Sequence, residues 1–181
     1  MTEIEVKILG IDKDEMQKKL EKIGAELIRN EYQINTVYDD EDESISAPGS
    51  KTYLRIRETE DRISGEKKKT FTLKTLISKE GARKSEELNV SIDSKDNLEK
   101  ILNFLGVYKK YAGSKHRISY EFRGIRFDID EWDKNTYPEP YMEIEADSIE
   151  ALNEILNLLN IQEESVSTKS ITELRRDIGL E

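Results

Sequence analysis

The feature that most limits what this chain can fold into is a recurrent period of two. In eight separate segments apolar and polar residues tend to alternate, and in most of them charged side chains share the polar phase. Residues 2–9 set the pattern, with Ile4, Val6 and Ile8 in one phase and Glu3, Glu5 and Lys7 in the other. Segments 32–39, 51–58, 68–76, 84–92, 114–122, 125–132 and 140–146 repeat it, and an Arg123-Gly124 turn joins two of them as a hairpin. Side chains alternate across a strand, so each segment predicts a strand with one greasy and one ionic face. Three amphipathic segments at helical spacing supply cover for the greasy faces. The first starts at Asp12 with Glu15 in a capping-box pattern and carries Met16, Leu20, Ile23 and Leu27. The second runs from Ser94 to Leu105, burying Leu98, Ile101, Leu102 and Leu105, with Gly106 as its C-terminal cap. The third opens at Ser148 and carries Ile149, Leu152, Ile155, Leu156 and Leu159; Ser170 and Glu173 cap a short final helix. Loops are expected at 40–50, around Pro48-Gly49, and at 61–67. The order β-α-β-β-β-β-α-β-β-β-α predicts an α+β fold with a largely antiparallel sheet, one domain over residues 1–181.

Composition narrows the chemistry. The chain has 29 Lys plus Arg against 39 Asp plus Glu, a net charge of −10, which repels nucleic acid unless the cations gather in one place. With no Cys there is no disulfide, thiolate nucleophile or zinc–sulfur site, and a single His, His116, excludes a His-rich metal site. No apolar run reaches the roughly 18–20 residues of a membrane span, and no signal peptide precedes Glu3, so a cytoplasmic protein without membrane partners is expected.

The ionic phase is sorted. It holds Glu3, Glu5, Lys7; Arg55, Arg57; Thr72, Lys74; Lys115, Arg117; Arg126, Asp128, Asp130; Glu143 and Glu145. A solvated sheet face with cross-strand ion pairs is the plain reading of such charge. Against it, the acids come as pairs at i, i+2 in the first and last strands, and the cations as pairs on strands between. Carboxylates two apart on a strand project the same way and can share a hard divalent ion. Arg and Lys on other strands can hold phosphates. If the sheet closes, these faces enter one interior, suited to a metal-bound polyphosphate. In the acidic strand the alternation places Glu87 inside, with Glu86 the competitor if a bulge intervenes.

These residues resemble the CYTH superfamily, the triphosphate tunnel metalloenzymes. Glu3-Ile4-Glu5-Val6-Lys7 matches its ExExK signature, followed in order by Tyr38-Asp39, Leu54-Arg55-Ile56-Arg57, Thr72-Leu73-Lys74, Glu86-Glu87, Lys115-His116-Arg117, Asp130 and Glu143-Ile144-Glu145. The likeness covers about residues 2–175. It implies a closed eight-stranded antiparallel β-barrel, a tunnel with amphipathic helices packed outside, that binds a triphosphate-containing small molecule with Mg²⁺ or Mn²⁺. By this resemblance Glu3, Glu5, Asp130, Glu143 and Glu145 are metal-side acids, and Lys7, Arg55, Arg57, Lys74, Lys115 and Arg117 bind phosphate. Lys7, Lys74 and Glu87 are implied as catalytic. The implied activity is hydrolysis of inorganic, thiamine or nucleoside triphosphate. A class IV adenylyl cyclase and a weakly catalytic polyphosphate-binding module are the alternatives, in a monomer or homodimer. Family hydrolases often read Tyr-Tyr-Asp or Tyr-Phe-Asp where this chain reads Val37-Tyr38-Asp39, so the Tyr that pairs with the Lys equivalent to Lys74 is missing from its usual place. Trp132 is expected to pack under the Tyr137-Pro138 loop, the acidic run 39–43 to be a solvated loop, and His116 to face outward.

Overall fold

The computed structural model describes residues 2–46 and 51–180; the Pro48-Gly49 turn lies outside the described residues. Eight strands carry the fold: β1 (Thr2–Ile8), β2 (Glu26–Asp40), β3 (Thr52–Asp61), β4 (Lys67–Ser78), β5 (Arg83–Ser91), β6 (Val107–Phe122), β7 (Ile125–Trp132) and β8 (Tyr141–Ala146). They are ordered β5-β4-β3-β2-β6-β7-β8-β1, and β1 pairs back onto β5 through Glu5↔Arg83 and Ile4↔Lys84. That last ladder closes an antiparallel barrel. Closure leaves no long sheet edge unpaired, and in an eight-stranded barrel the side chains themselves fill the interior. A two-residue strand, β9 (Val166–Ser167), adds beside β1.

The helices lie outside, on the greasy phase. Helices α1 (Lys13–Lys22) and α3 (Ile149–Leu158) bury Met16, Leu20, Leu152 and Ile155 against Val6, Ile8, Phe127, Ile129, Met142 and Ile144. Helix α2 (Lys95–Phe104) sets Leu102 on Tyr38 and Ile56. Helix α4 (Ile171–Asp177), opened by the Ser170/Glu173 capping box, brings Leu174 to Tyr137 and Tyr141, with Trp132 packed alongside as expected. No helix among the described residues is long and apolar enough to cross a membrane.

Three local expectations need correction. The first helix ends at Lys22, because Gly24 takes φ +85° and turns the chain into β2; Leu27, which fits the helical period, lies on that strand. Strands β2 and β6 begin earlier than their alternation suggests, at Glu26 and Val107, and bulges at Leu27/Arg29 and Val37/Tyr38 break their phase. On α2, Leu102 is buried but Ile101 and Leu105 are 55 % and 68 % exposed, since the helix meets the barrel along a stripe narrower than its apolar arc.

A charged barrel interior as the candidate active site

Cross-strand register assembles the interior. Lys7 stands opposite Glu143 and Glu5 opposite Glu145 on β1 and β8; Asp130 stands opposite Arg117 on β7 and β6; Lys74 stands opposite Glu87 on β4 and β5. Asn35 lies between Arg57 on β3 and Gly113 on β6. The residues singled out from sequence thus share one inward phase, with Glu87 rather than the exposed Glu86 inside. The Glu3 side chain lies outside the described residues.

Arg117 organises one half. Its Nε and Nη2 grip both oxygens of Asp130 at 2.7 and 2.6 Å, Nη1 reaches Asp128 Oδ2 at 2.5 Å, and Nη2 also reaches Glu143 Oε2 at 2.6 Å. Such a bidentate fork is the strong form of charge pairing. Lys115 Nζ adds a 2.6 Å bond to Asp130 and lies over the Trp132 ring, while Lys7 Nζ is 3.0 Å from Glu143. Burial opposes charge on Arg117, but three carboxylates outweigh it and hold the guanidinium well above its ordinary range. Burial and the adjacent Arg117 cation instead push Lys115 down to about 7.

The other half is richer in cations. Lys74 Nζ sits 3.1 Å from Glu87 and 3.4 Å from Glu5, and Arg83 Nε lies 3.5 Å from Glu5. Arg126 pairs with Glu145 and reaches Asp128 at 3.2 Å. Among the described residues no carboxylate forms an ion pair with Arg55 or Arg57: Arg57 Nε donates to the neutral Asn35 Oδ1 at 3.0 Å, and Arg55 Nε is buried without a hydrogen-bond partner. Burial, then repulsion from Arg55 and Arg117, lowers Arg57 to about 9. These two adjacent guanidiniums thus make no ion pair among the described residues, which leaves their charge the least compensated of the interior cations.

The acids match a hard divalent ion in the chemistry of their oxygen donors. Glu5 and Glu145 face each other directly across β1 and β8, a like-charge juxtaposition that is unfavourable unless cations cover it. Among the described residues no three such groups converge to hold a metal unaided. Mg²⁺ is ordinarily held by one or two carboxylates plus substrate phosphates, so a facing pair is a suitable donor set.

Several interior residues were passed over in the sequence. Asp128 and Arg126 share the ionic phase, but phase alone does not show that Asp128 anchors Arg117. Arg83 occupies the inward phase of β5 and reaches Glu5. Tyr53 stands opposite Lys74 on β3, in the phase of Arg55, whereas Val37 faces inward opposite Arg55 and Tyr38 turns outward to Glu99 of α2. Asp39 is not part of a solvated loop: it is buried and accepts from the backbone N–H groups of Asp40, Ile45 and Ser46. His116 lies on the outward phase of β6, bonded to Asn30 Oδ1 at 2.6 Å.

The acids also set an acid limit on stability. Burial alone would raise Glu87, Asp128 and Glu143, but Lys74 and Arg55 bring Glu87 to about 2, Arg117 and Arg126 lower Asp128, and Lys7 and Arg117 hold Glu143 well below the usual range. Carboxylates with depressed folded pKa values stabilise above their unfolded values near 4.5 and lose that contribution as pH falls through the folded ones. The melting temperature should therefore fall steeply between about pH 4.5 and 2. A flat profile across that window in thermal unfolding would contradict the pairing.

Comparison with known proteins agrees with the fold. The CYTH domain family profile matches residues 1–171. A Methanocaldococcus jannaschii protein named as a candidate adenylate cyclase, MJ0240, is 28 % identical over 97 % of this chain and 99 % of its own. Among solved structures, the PH1819 protein of Pyrococcus horikoshii OT3 superposes with TM-score 0.81 at 23 % identity, covering 97 % of this chain and 99 % of its own. HpAC1 from Hippeastrum superposes with TM-score 0.69 at 16 % identity, covering 99 % and 98 %.

Proposed function

Because the chain belongs to the CYTH domain family, we propose that it is a metal-dependent triphosphatase acting on a triphosphate-containing small molecule held inside the barrel. The observation that carries this reading is the Arg55/Arg57 pair, two inward guanidiniums that form no close ion pair among the described residues, beside cations already balanced by acids. A phosphate chain bound there gains charge-assisted hydrogen bonds without first breaking an ion pair. Arg55 and Arg57 hold its central oxygens, with Lys74, Lys115 and Arg117 around them and Lys7 toward the acids. Lys74 lies between Glu5 and Glu87, so its ammonium can move to a leaving phosphoryl oxygen while Glu87 positions it. At about 2, Glu87 is too weak a base to accept a proton from water near neutral pH, so it serves to position Lys74. Glu5 and Glu145, with Glu3, Asp130 and Glu143, would hold Mg²⁺ or Mn²⁺, which would supply Lewis-acid polarisation of the phosphoryl group. The rest is electrostatic stabilisation of charge on equatorial and leaving oxygens, most of what phosphoryl transfer asks of a protein.

HpAC1, itself a candidate adenylyl cyclase, is described as having a dominant triphosphatase activity, which supports hydrolysis over cyclisation for this fold. The test is product analysis with inorganic triphosphate, thiamine triphosphate and ATP, each with Mg²⁺, Mn²⁺ or chelator. Phosphate release dependent on metal is expected, falling at least about 100-fold in Glu5→Gln or Glu145→Gln. Full activity in excess chelator would overturn the reading, and cyclic AMP as the main product would replace it with the cyclase.

A further inference from the structure

Outside the barrel, a strip of apolar sheet along β4 and β5 has no helix over it. The β5 ladder with β1 stops at Glu86, opposite Thr2, while its ladder with β4 runs on to Ser91. Residues 88–91 are all exposed, with Leu88 and Val90 on the outer phase at 56 % and 58 %. Native edges are usually blunted by Lys or Pro or covered by a helix. Residues 88–91 contain neither, and among the described residues no helix covers them. Helix α2 lies to one side. Tyr38 of β2 donates to Glu99 and Lys95 donates to Glu58 of β3, each at 2.6 Å, so that flank faces β2 and β3. By the helical period, Ile101 and Leu105 fall on the flank toward β4 and β5. Phe104, 92 % exposed, points away from the barrel.

We propose that this face joins two copies of the chain, the α2 helix of each filling the open strip over β4 and β5 of the other. The face is self-complementary, as a two-fold interface must be. It presents a ridge (α2) beside a strip of two strands, and two strands span about 10 Å, the diameter of a helix. Phe104 of one copy then meets Leu88 and Val90 of the other, and the two Ile101–Leu105 flanks meet along the axis. Leu88, Val90, Ile101, Phe104 and Leu105 together expose roughly 600 Å² of apolar surface. That is at the top of what a lone domain leaves in one patch, and most of the about 800 Å² each partner gives a standard interface. The exposed rim carries both signs, Lys84 and Glu86 on β5 and Lys100 on α2, so a second copy meets no single-sign field.

The test is analytical ultracentrifugation of the full chain without substrate, so its outcome is independent of the triphosphatase reading. Wild type should sediment as a dimer at tens of micromolar. Val90→Lys and Phe104→Glu, both at exposed positions, should each weaken the dimer at least about 30-fold with an unchanged circular dichroism spectrum. The double variant sets an ammonium of each copy against a carboxylate of the other, and should recover about tenfold of that loss. Leu158→Lys, at an exposed apolar position on α3, should leave the dimer intact. A monomeric wild type at that concentration, or a dimer untouched by both single variants, would overturn the inference. So would no recovery in the double variant, or loss of the dimer in Leu158→Lys.

Discussion

Arg57→Ala is expected to weaken inorganic triphosphate binding by about 30- to 100-fold, read by calorimetric titration, while the melting temperature holds or rises. The two effects have one cause. Arg57 is half-buried beside Arg55 and Arg117 with the neutral Asn35 as its hydrogen-bond partner, and desolvation and the neighbouring cations lower it to about 9. Removing it relieves repulsion in the empty barrel, whereas a bound phosphate chain loses a charge-assisted bond in a site screened from water. A sheet face stapled by ion pairs would behave in the opposite way, melting lower with no ligand effect. Unchanged triphosphate affinity in Arg57→Ala would rule out the phosphate-clamp assignment.

Asp130→Ala should produce the largest loss of stability, a fall in melting temperature of about 6–20 °C, from the roughly 3–5 kcal/mol cost of breaking a buried ion network in a chain of this size. Asp130 is fully buried and accepts from Arg117 Nε, Arg117 Nη2 and Lys115 Nζ; without it, two adjacent cations lose their shared anion. The exposed Lys13–Glu131 pair is the internal control, since its 2.6 Å contact lies in solvent and Glu131→Ala should cost less than about 1 kcal/mol. Equal effects of the two substitutions in thermal unfolding would show that the interior network is not organised around Asp130.

The two substitutions also mark how far the charges could be sorted beforehand. Period-two alternation is a local property, so the inward phase of Arg55, Arg57, Lys115, Arg117, Asp130, Glu143 and Glu145 was legible residue by residue. Leu27 shows the limit of such periodicity: it fits both the helix before Gly24 and the strand after it, and only the positive φ of Gly24 separates them. Ile101 and Leu105 show another, because an apolar arc says that a helix can bury a face, not how wide a neighbour it meets. Asn35 escaped notice for a different reason: sorting by charge cannot see a neutral group, and its significance lies in the bond it accepts from Arg57.

By itself, then, the sequence determined the number of principal strands, the inward phase of the charged residues, the three covering helices apart from their ends, and the family to which the chain belongs. Only the tertiary structure decided the partners. Whether Arg117 neutralises Asp130 or waits for phosphate, and whether Arg57 meets a carboxylate or Asn35, depends on strand order and on the β1–β5 ladder that closes the barrel. Those pairings join segments distant in sequence. Alternation repeats identically in every register shifted by two residues, so no local pattern can choose among them; packing and closure do.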